Sequence, residues 1–240
     1  MKDDRIDVLS PQVWVLDGAT SNTLYEYANE DAVDAGNAMV YSLPYTCEGT
    51  NNVVYQNALF CNVYNTRYVM KFKLSTQEAR LVELPDAGVT PGQDEYSNGG
   101  GYMDFSVDEN GLWVLFASVA DQHEISIGKL DPVAMNISRY YFTDFTRNLA
   151  GNAFMSCGAM YVIDSATDVD TYIRYTFDTN NNIQQHLGPN DIPFHHLRHA
   201  ECDNLYGDIT MVEYSNREQK LHVWNCKRME KYDITFQSNY

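Results

Sequence analysis

Three histidines within five residues, His195, His196 and His199, are the first cluster whose chemistry would matter, because neutral imidazoles are common metal ligands. His195 and His199 share a face only on a helix, and Pro193 with its loop-rich surroundings argues against one there. A solvated loop is the expectation. The run Asp164-Ser165-Ala166-Thr167-Asp168-Val169-Asp170 is acidic but lacks the glycine and closing glutamate of a calcium-binding helix-loop-helix. It reads as a connecting loop that a partner can touch. Gly99-Gly100-Gly101 precedes a strand, so it offers no helix N-terminus to a phosphate and is expected to turn tightly beneath Tyr102. No Gly-x-Ser-x-Gly elbow or convincing Cys/His pair marks a nucleophile. The five cysteines contain no Cys-x-x-Cys and match no zinc spacing. One acceptor sequon, Asn136-Ile137-Ser138, could take an N-linked glycan.

The elements that must hold these residues are strands. Runs of Val, Ile, Tyr, Phe and Trp alternate with Asn, Gly and Asp turns, and helical periodicity is nearly absent, so the chain reads as all-β. One unit recurs. Its second strand appears as 12–16, 58–62, 111–115, 159–163 and 221–224, and its third as 24–27, 69–74, 125–130, 172–177 and 230–234. Starts of the second strand lie 46, 53, 48 and 62 residues apart. Those spacings fit a four-stranded propeller blade of about 40–50 residues. The expected fold is therefore a five-bladed β-propeller. Because the first unit begins at its second strand, residues 1–12 are expected to complete the last blade, closing the ring by pairing of N- and C-terminal segments and leaving 13–240 as the propeller proper. Trp14, Trp113 and Trp224 fall at equivalent strand positions and are expected to pack between blades.

The charge excludes some partners. Lys and Arg number 16 against 33 Asp and Glu, a net charge of −17 that disfavours nucleic acid and anionic lipid. The longest apolar run, 111–120, is half of the roughly 20 residues a membrane helix needs, so no membrane insertion is expected.

Several segments resemble the olfactomedin domain: Leu43-Pro44-Tyr45, Gly49 to Tyr55, Asn65-Thr66-Arg67, Asp104 to Trp113, Gly151 to Gly158 followed by Tyr161, and Trp224 to Ile234. The resemblance runs from about Val13 to Ile234, and the gliomedin-like branch, with collagen repeats upstream, looks most similar. Olfactomedin domains are five-bladed propellers, in agreement with the repeat. The resemblance implies a calcium ion in the central channel, with sodium beside it. Its side-chain ligands fall on Asp104 and Asn152, and backbone carbonyls on Ala153 and Val212. The third acidic ligand falls on Glu213, where the family usually has Asp, and Phe105 would offer a carbonyl to the sodium. The alternative is a hydrated polar plug of Asp104, Asn152 and Glu213.

Cys157 lies in a family motif, where it pairs with a cysteine ahead of the domain; none precedes Cys47 here. The other four cysteines, at positions where the family generally has none, flank two corresponding hairpins. The expected disulfides are Cys47–Cys61 and Cys202–Cys226. With the sequon, they point to a secreted protein or the extracellular side of the plasma membrane. The resemblance implies a non-enzymatic adhesion and protein-interaction module that gathers cell-surface proteins at contacts such as synapses or neuromuscular junctions, trimerised through upstream collagen repeats. The competing reading is a propeller glycosidase or carbohydrate-binding protein, with Asp104 and Glu213 as its two carboxylates.

Overall fold

The computed structural model of the chain describes residues 12–97, 100–197, 209–226 and 228–235. Its strands, in chain order, are β1 (Val13–Leu16), β2 (Thr20–Tyr27), β3 (Ala38–Tyr55), β4 (Ala58–Val63), β5 (Tyr68–Lys73), β6 (Glu78–Glu83), β7 (Met103–Asp108), β8 (Gly111–Ala117) and β9 (Glu124–Asp131). They continue as β10 (Asn136–Thr146), β11 (Asn152–Ser156), β12 (Ala159–Ile163), β13 (Asp170–Asp178), β14 (Ile183–His186), β15 (Pro193–His195), β16 (Ile209–Ser215), β17 (Lys220–Asn225) and β18 (Arg228–Asp233). The one α-helix among the described residues, α1 (Glu30–Asp34), is capped by Asn29, whose side chain accepts from Ala32 N at 2.9 Å.

Every predicted second strand pairs antiparallel with its third: β1 with β2, β4 with β5, β8 with β9, β12 with β13 and β17 with β18. The strands alternate because the sequence does. In β13, Thr171, Ile173, Tyr175 and Phe177 are buried while the residues between them are partly exposed. The inner strands pack in a ring, β3 against β7, β7 against β11, β11 against β16 and β16 against β3. Apolar clusters fill the spaces between neighbouring sheets; one joins Phe60, Phe105, Val114 and Phe116, and another joins Trp113, Met155, Tyr175 and Phe177. The fold is an all-β propeller.

The described residues form four sheets, where five separate blades are expected. The cause is β3. Over its 18 residues it pairs first with β2 and then with β4, and around Cys47 and Glu48 it pairs with both. The two ladders thus merge into one six-stranded sheet. Two register shifts let one strand serve both sides. Pro44 sits in the first, where a missing N–H costs no ladder bond. The second lies between Glu48 and Val53, and such bulges re-aim side chains. It carries Asn51 toward the axis.

The glycine run acts through close approach. Gly101 has φ +95°, and a Cβ there would lie 2.7 Å from the Cα of Gly49, so inner strand and loop touch backbone to backbone. The expected closure by residues 1–12 falls outside the described residues, apart from Gln12, whose amide donates to Glu26 Oε1 at 2.8 Å. Of the three tryptophans, Trp113 is fully buried and donates to Asp108 Oδ1 at 2.7 Å, while Trp14 and Trp224 are only partly buried.

Candidate functional site: a charged core in the channel

Asp104 is the second residue of β7 and Asn152 the first of β11, so adjacent inner strands bring both to the axis. Both are buried. Asn51 joins them from β3, donating through Nδ2 to Asn152 Oδ1 at 3.0 Å. The same oxygen accepts Ala153 N at 2.8 Å. Asp104 Oδ1 and Asn51 Oδ1 are both buried with no hydrogen-bond partner among the described residues.

The partner that governs Asp104 is Arg147. It lies in the short 3₁₀ turn (Arg147–Leu149) after β10, fully buried, with Nη2 at 3.1 Å from Asp104 Oδ2. Its Nη1 donates to Leu115 O at 3.3 Å, and the guanidinium stacks over the Tyr96 ring at 3.9 Å. Burial pushes the Asp104 carboxyl above its ordinary value, and the Arg147 charge pulls it back. The loop carrying Tyr96 is pinned from below. Buried Asp94 accepts Thr90 N at 2.7 Å and meets His123 Nδ1 at 2.5 Å.

Glu213 comes from β16, the inner strand that packs against β3, β7 and β11. On β16, Val212 and Tyr214 enter the apolar core, so Glu213 faces the opposite side. There it lines a cavity of about 310 Å³ with Gln12, Trp14, Arg217, Glu218 and His222. Burial alone raises its carboxyl from 4.5 to about 7. Val212 and Ala153 are buried, and so is Phe105, which belongs to the core between sheets. No three His, Cys, Asp or Glu side chains among the described residues are grouped to hold a metal ion.

Sign and size follow for Glu213. Between about pH 4.5 and 7 the folded chain holds a proton that the unfolded chain has released, so stability falls as pH rises through that window. Glu213→Gln is expected to flatten that slope and to raise stability at pH 8 by about 1–3 kcal/mol, the full difference from 4.5 to about 7 being worth roughly 3.4 kcal/mol. Melting curves from pH 4 to 8 check it; parallel profiles for the two proteins contradict it.

The remaining candidates separate cleanly. Cys47 and Cys61 are disulfide-bonded and buried where β3 crosses to β4. Cys226 is also disulfide-bonded; Cys202 lies outside the described residues. Cys157 is a free, exposed thiol in the β11–β12 turn. Exposed His195 meets Asp170 at 3.0 Å, whereas buried His196 meets the Ser165 carbonyl at 2.8 Å; His199 falls outside the described residues. Asn136 is exposed at the start of β10, an outermost strand of its sheet. Sequence reasoning missed Arg147, Asn51 and Tyr96. An arginine two residues after Phe145 in a polar turn carries no signal of burial, and charged side chains are almost never fully buried unless paired.

The sequence model of the olfactomedin-like domain matches residues 1–239. Myocilin from Oryctolagus cuniculus is 32% identical over 227 residues, covering 92% of this chain and 44% of its own length. The chain therefore spans less than half of that curated relative. A solved structure described as the crystal structure of a nidogen/laminin complex superposes with a TM-score of 0.53 at 11% identity, covering 90% of this chain and 72% of the other. That likeness speaks to the fold alone.

Proposed function

The chain belongs to the olfactomedin-like domain family, and from that premise we propose that it is a non-enzymatic, extracellular protein-interaction module. The observation that carries the reading is the family match along essentially the whole chain. The Cys47–Cys61 disulfide supports an oxidising compartment. No helix among the described residues is long and apolar enough to cross a membrane. The net charge of −17 favours a partner with a basic surface.

The finer reading has four parts. The six-stranded sheet houses two blades sharing β3, which makes the propeller five-bladed. Asn136 carries an N-linked glycan, to be checked by the mass lost on enzymatic deglycosylation of secreted protein and by its absence in Asn136→Gln. The parent protein is a trimer held by upstream collagen repeats. It gathers receptors or channels at contacts such as synapses or neuromuscular junctions. Three linked modules gain avidity without any new contact.

A glycosidase is disfavoured by the two carboxylates it would need. Asp104 is buried and paired with Arg147, and the cavity that Glu213 lines does not have Asp104 in its walls. The test compares the single domain with an artificially trimerised one on neuronal and muscle cells, beside a panel of aryl-glycosides. Expected are much tighter cell binding by the trimer and no turnover. Equal binding by both forms, or turnover lost in Glu213→Gln, overturns the reading.

A further inference from the structure

Glu48 carries a carboxylate into the strand crossing where β3 pairs with β2 and β4 at once, and it is only 6% exposed. Acidic side chains buried that deeply are ordinarily paired with a cation or hold a metal. Here Oε2 accepts Asn65 N at 2.9 Å, while Oε1 is buried with no hydrogen-bond partner among the described residues. Burial pushes the Glu48 carboxyl above its ordinary value, the Asn65 N–H pulls it back, and the nearby Glu95 charge pushes it up again. Asn62 stands directly opposite on β4 and is fully buried. Side chains opposite one another on an antiparallel pair share a face, with Cβ atoms about 4.5–5.5 Å apart. The Asn62 Nδ2 donates into the β4–β5 turn, to Thr66 O at 2.9 Å and Tyr68 O at 3.1 Å, and its Oδ1 is again buried without a partner among the described residues. The loop carrying Glu95 is held against this crossing, since Thr50 N donates to Gly100 O at 3.3 Å. The buried Tyr102 lies beside both carboxylates: burial raises its hydroxyl first, then the charges of Glu95 and Glu48.

We infer that Glu48, Asn62 and Glu95 form a weak site for a divalent, oxygen-seeking cation such as calcium, at the place where β3 passes from one ladder to the next. Both orphaned atoms, Glu48 Oε1 and Asn62 Oδ1, are acceptors, and oxygen acceptors are what a hard cation takes. The ion also supplies the positive charge that two neighbouring carboxylates lack. With only two carboxylates, water completes the shell, and affinity falls in the weak range of about 10⁻⁴–10⁻³ M. Bound there, the ion ties the loop of Glu95 and Tyr96 to β3 and to the β4–β5 turn. None of Asp104, Asn152 and Glu213 belongs to this site.

The experiment titrates the whole chain with terbium, an oxygen-seeking stand-in for calcium whose emission is excited through a nearby tyrosine, here Tyr102. The expected result is a saturable emission that millimolar calcium displaces and that is largely lost in both Glu48→Gln and Glu95→Gln. Melting curves give a second reading. Calcium should raise the melting temperature of the parent with the logarithm of its concentration, and raise that of Glu48→Gln less. In EDTA, Glu48→Gln should melt no lower than the parent, because a buried charge has gone. If Glu48→Gln does not fold, Glu95→Gln decides alone, since Glu95 lies at the partly exposed edge of the site. No saturable emission in the parent, or emission that the substitutions leave unchanged, overturns the proposal. An equal gain in stability for Glu48→Gln with and without calcium overturns it too, by showing that Glu48 holds a proton in place of a metal ion.

Discussion

Arg147→Met should lower the melting temperature by roughly 6–20 °C, the largest effect expected of any single substitution here. The side chain is fully buried, and its loss leaves Asp104 as an unpaired carboxylate in the interior. Removing one partner of a buried pair costs about 3–5 kcal/mol, because the other charge stays without compensation. At this chain length each kcal/mol shifts melting by about 2–4 °C. Two controls separate the charge from the lost packing on Tyr96. Adding Asp104→Asn to Arg147→Met should recover part of the loss, since the orphaned charge is gone. The single variant should also be least destabilised in acid, where Asp104 takes up a proton and the folded state binds it more tightly than the unfolded one. A variant equally destabilised at pH 5 and pH 8, with no recovery in the double variant, would show that Arg147 acts by packing alone.

The second large effect is expected from opening the Cys47–Cys61 disulfide with paired alanines. The bridge spans a sequence separation of 14. In the chain-entropy account a loop of that size constrains the unfolded state by about 3 kcal/mol, or roughly 6–12 °C here. Its position adds to the effect. Both sulfurs lie in an apolar cluster with Leu43, Leu59, Met70 and Phe72, and they join β3 to β4 where β3 leaves one ladder for the other. Local loosening should therefore appear in β2, β3 and β4 before the rest of the propeller. Hydrogen exchange of intact paired-alanine protein tests this. Faster exchange confined to those strands supports the account, and uniform acceleration over all sheets contradicts it. The paired variant is preferable to a reductant, because Cys226 is also disulfide-bonded.

The strands were legible because alternation is a local property. Leu112 to Leu115 and Tyr172 to Phe177 announce themselves by β-branched and aromatic spacing, and both lie in strands of the structure. The Cys47–Cys61 pairing followed from two cysteines at the ends of one hairpin, and the structure holds that bond. The long β3 was not legible. It runs through Pro44 and Gly49, which fall at register shifts where a proline or a left-handed glycine is tolerated without ending the strand. The channel was half legible. Asp104 and Asn152 sit in recognisable motifs and do converge on the axis, whereas Asn51, Tyr96 and Arg147 come from a bulge, a loop and a turn. None of those three has a periodicity to betray it. Glu213 follows from alternation: along β16 Val212 and Tyr214 enter the apolar core and Glu213 takes the other face.

The central claim is that a disulfide-braced propeller of this family recognises an extracellular protein. The most direct measurement is a saturation-binding curve of labelled chain on intact neuronal or muscle cells, taken before and after surface proteins are stripped with protease. The account predicts a saturable component that disappears on stripping and is weakened for the paired-alanine variant at Cys47 and Cys61. Binding that rises linearly with concentration, or that survives stripping unchanged, would contradict it.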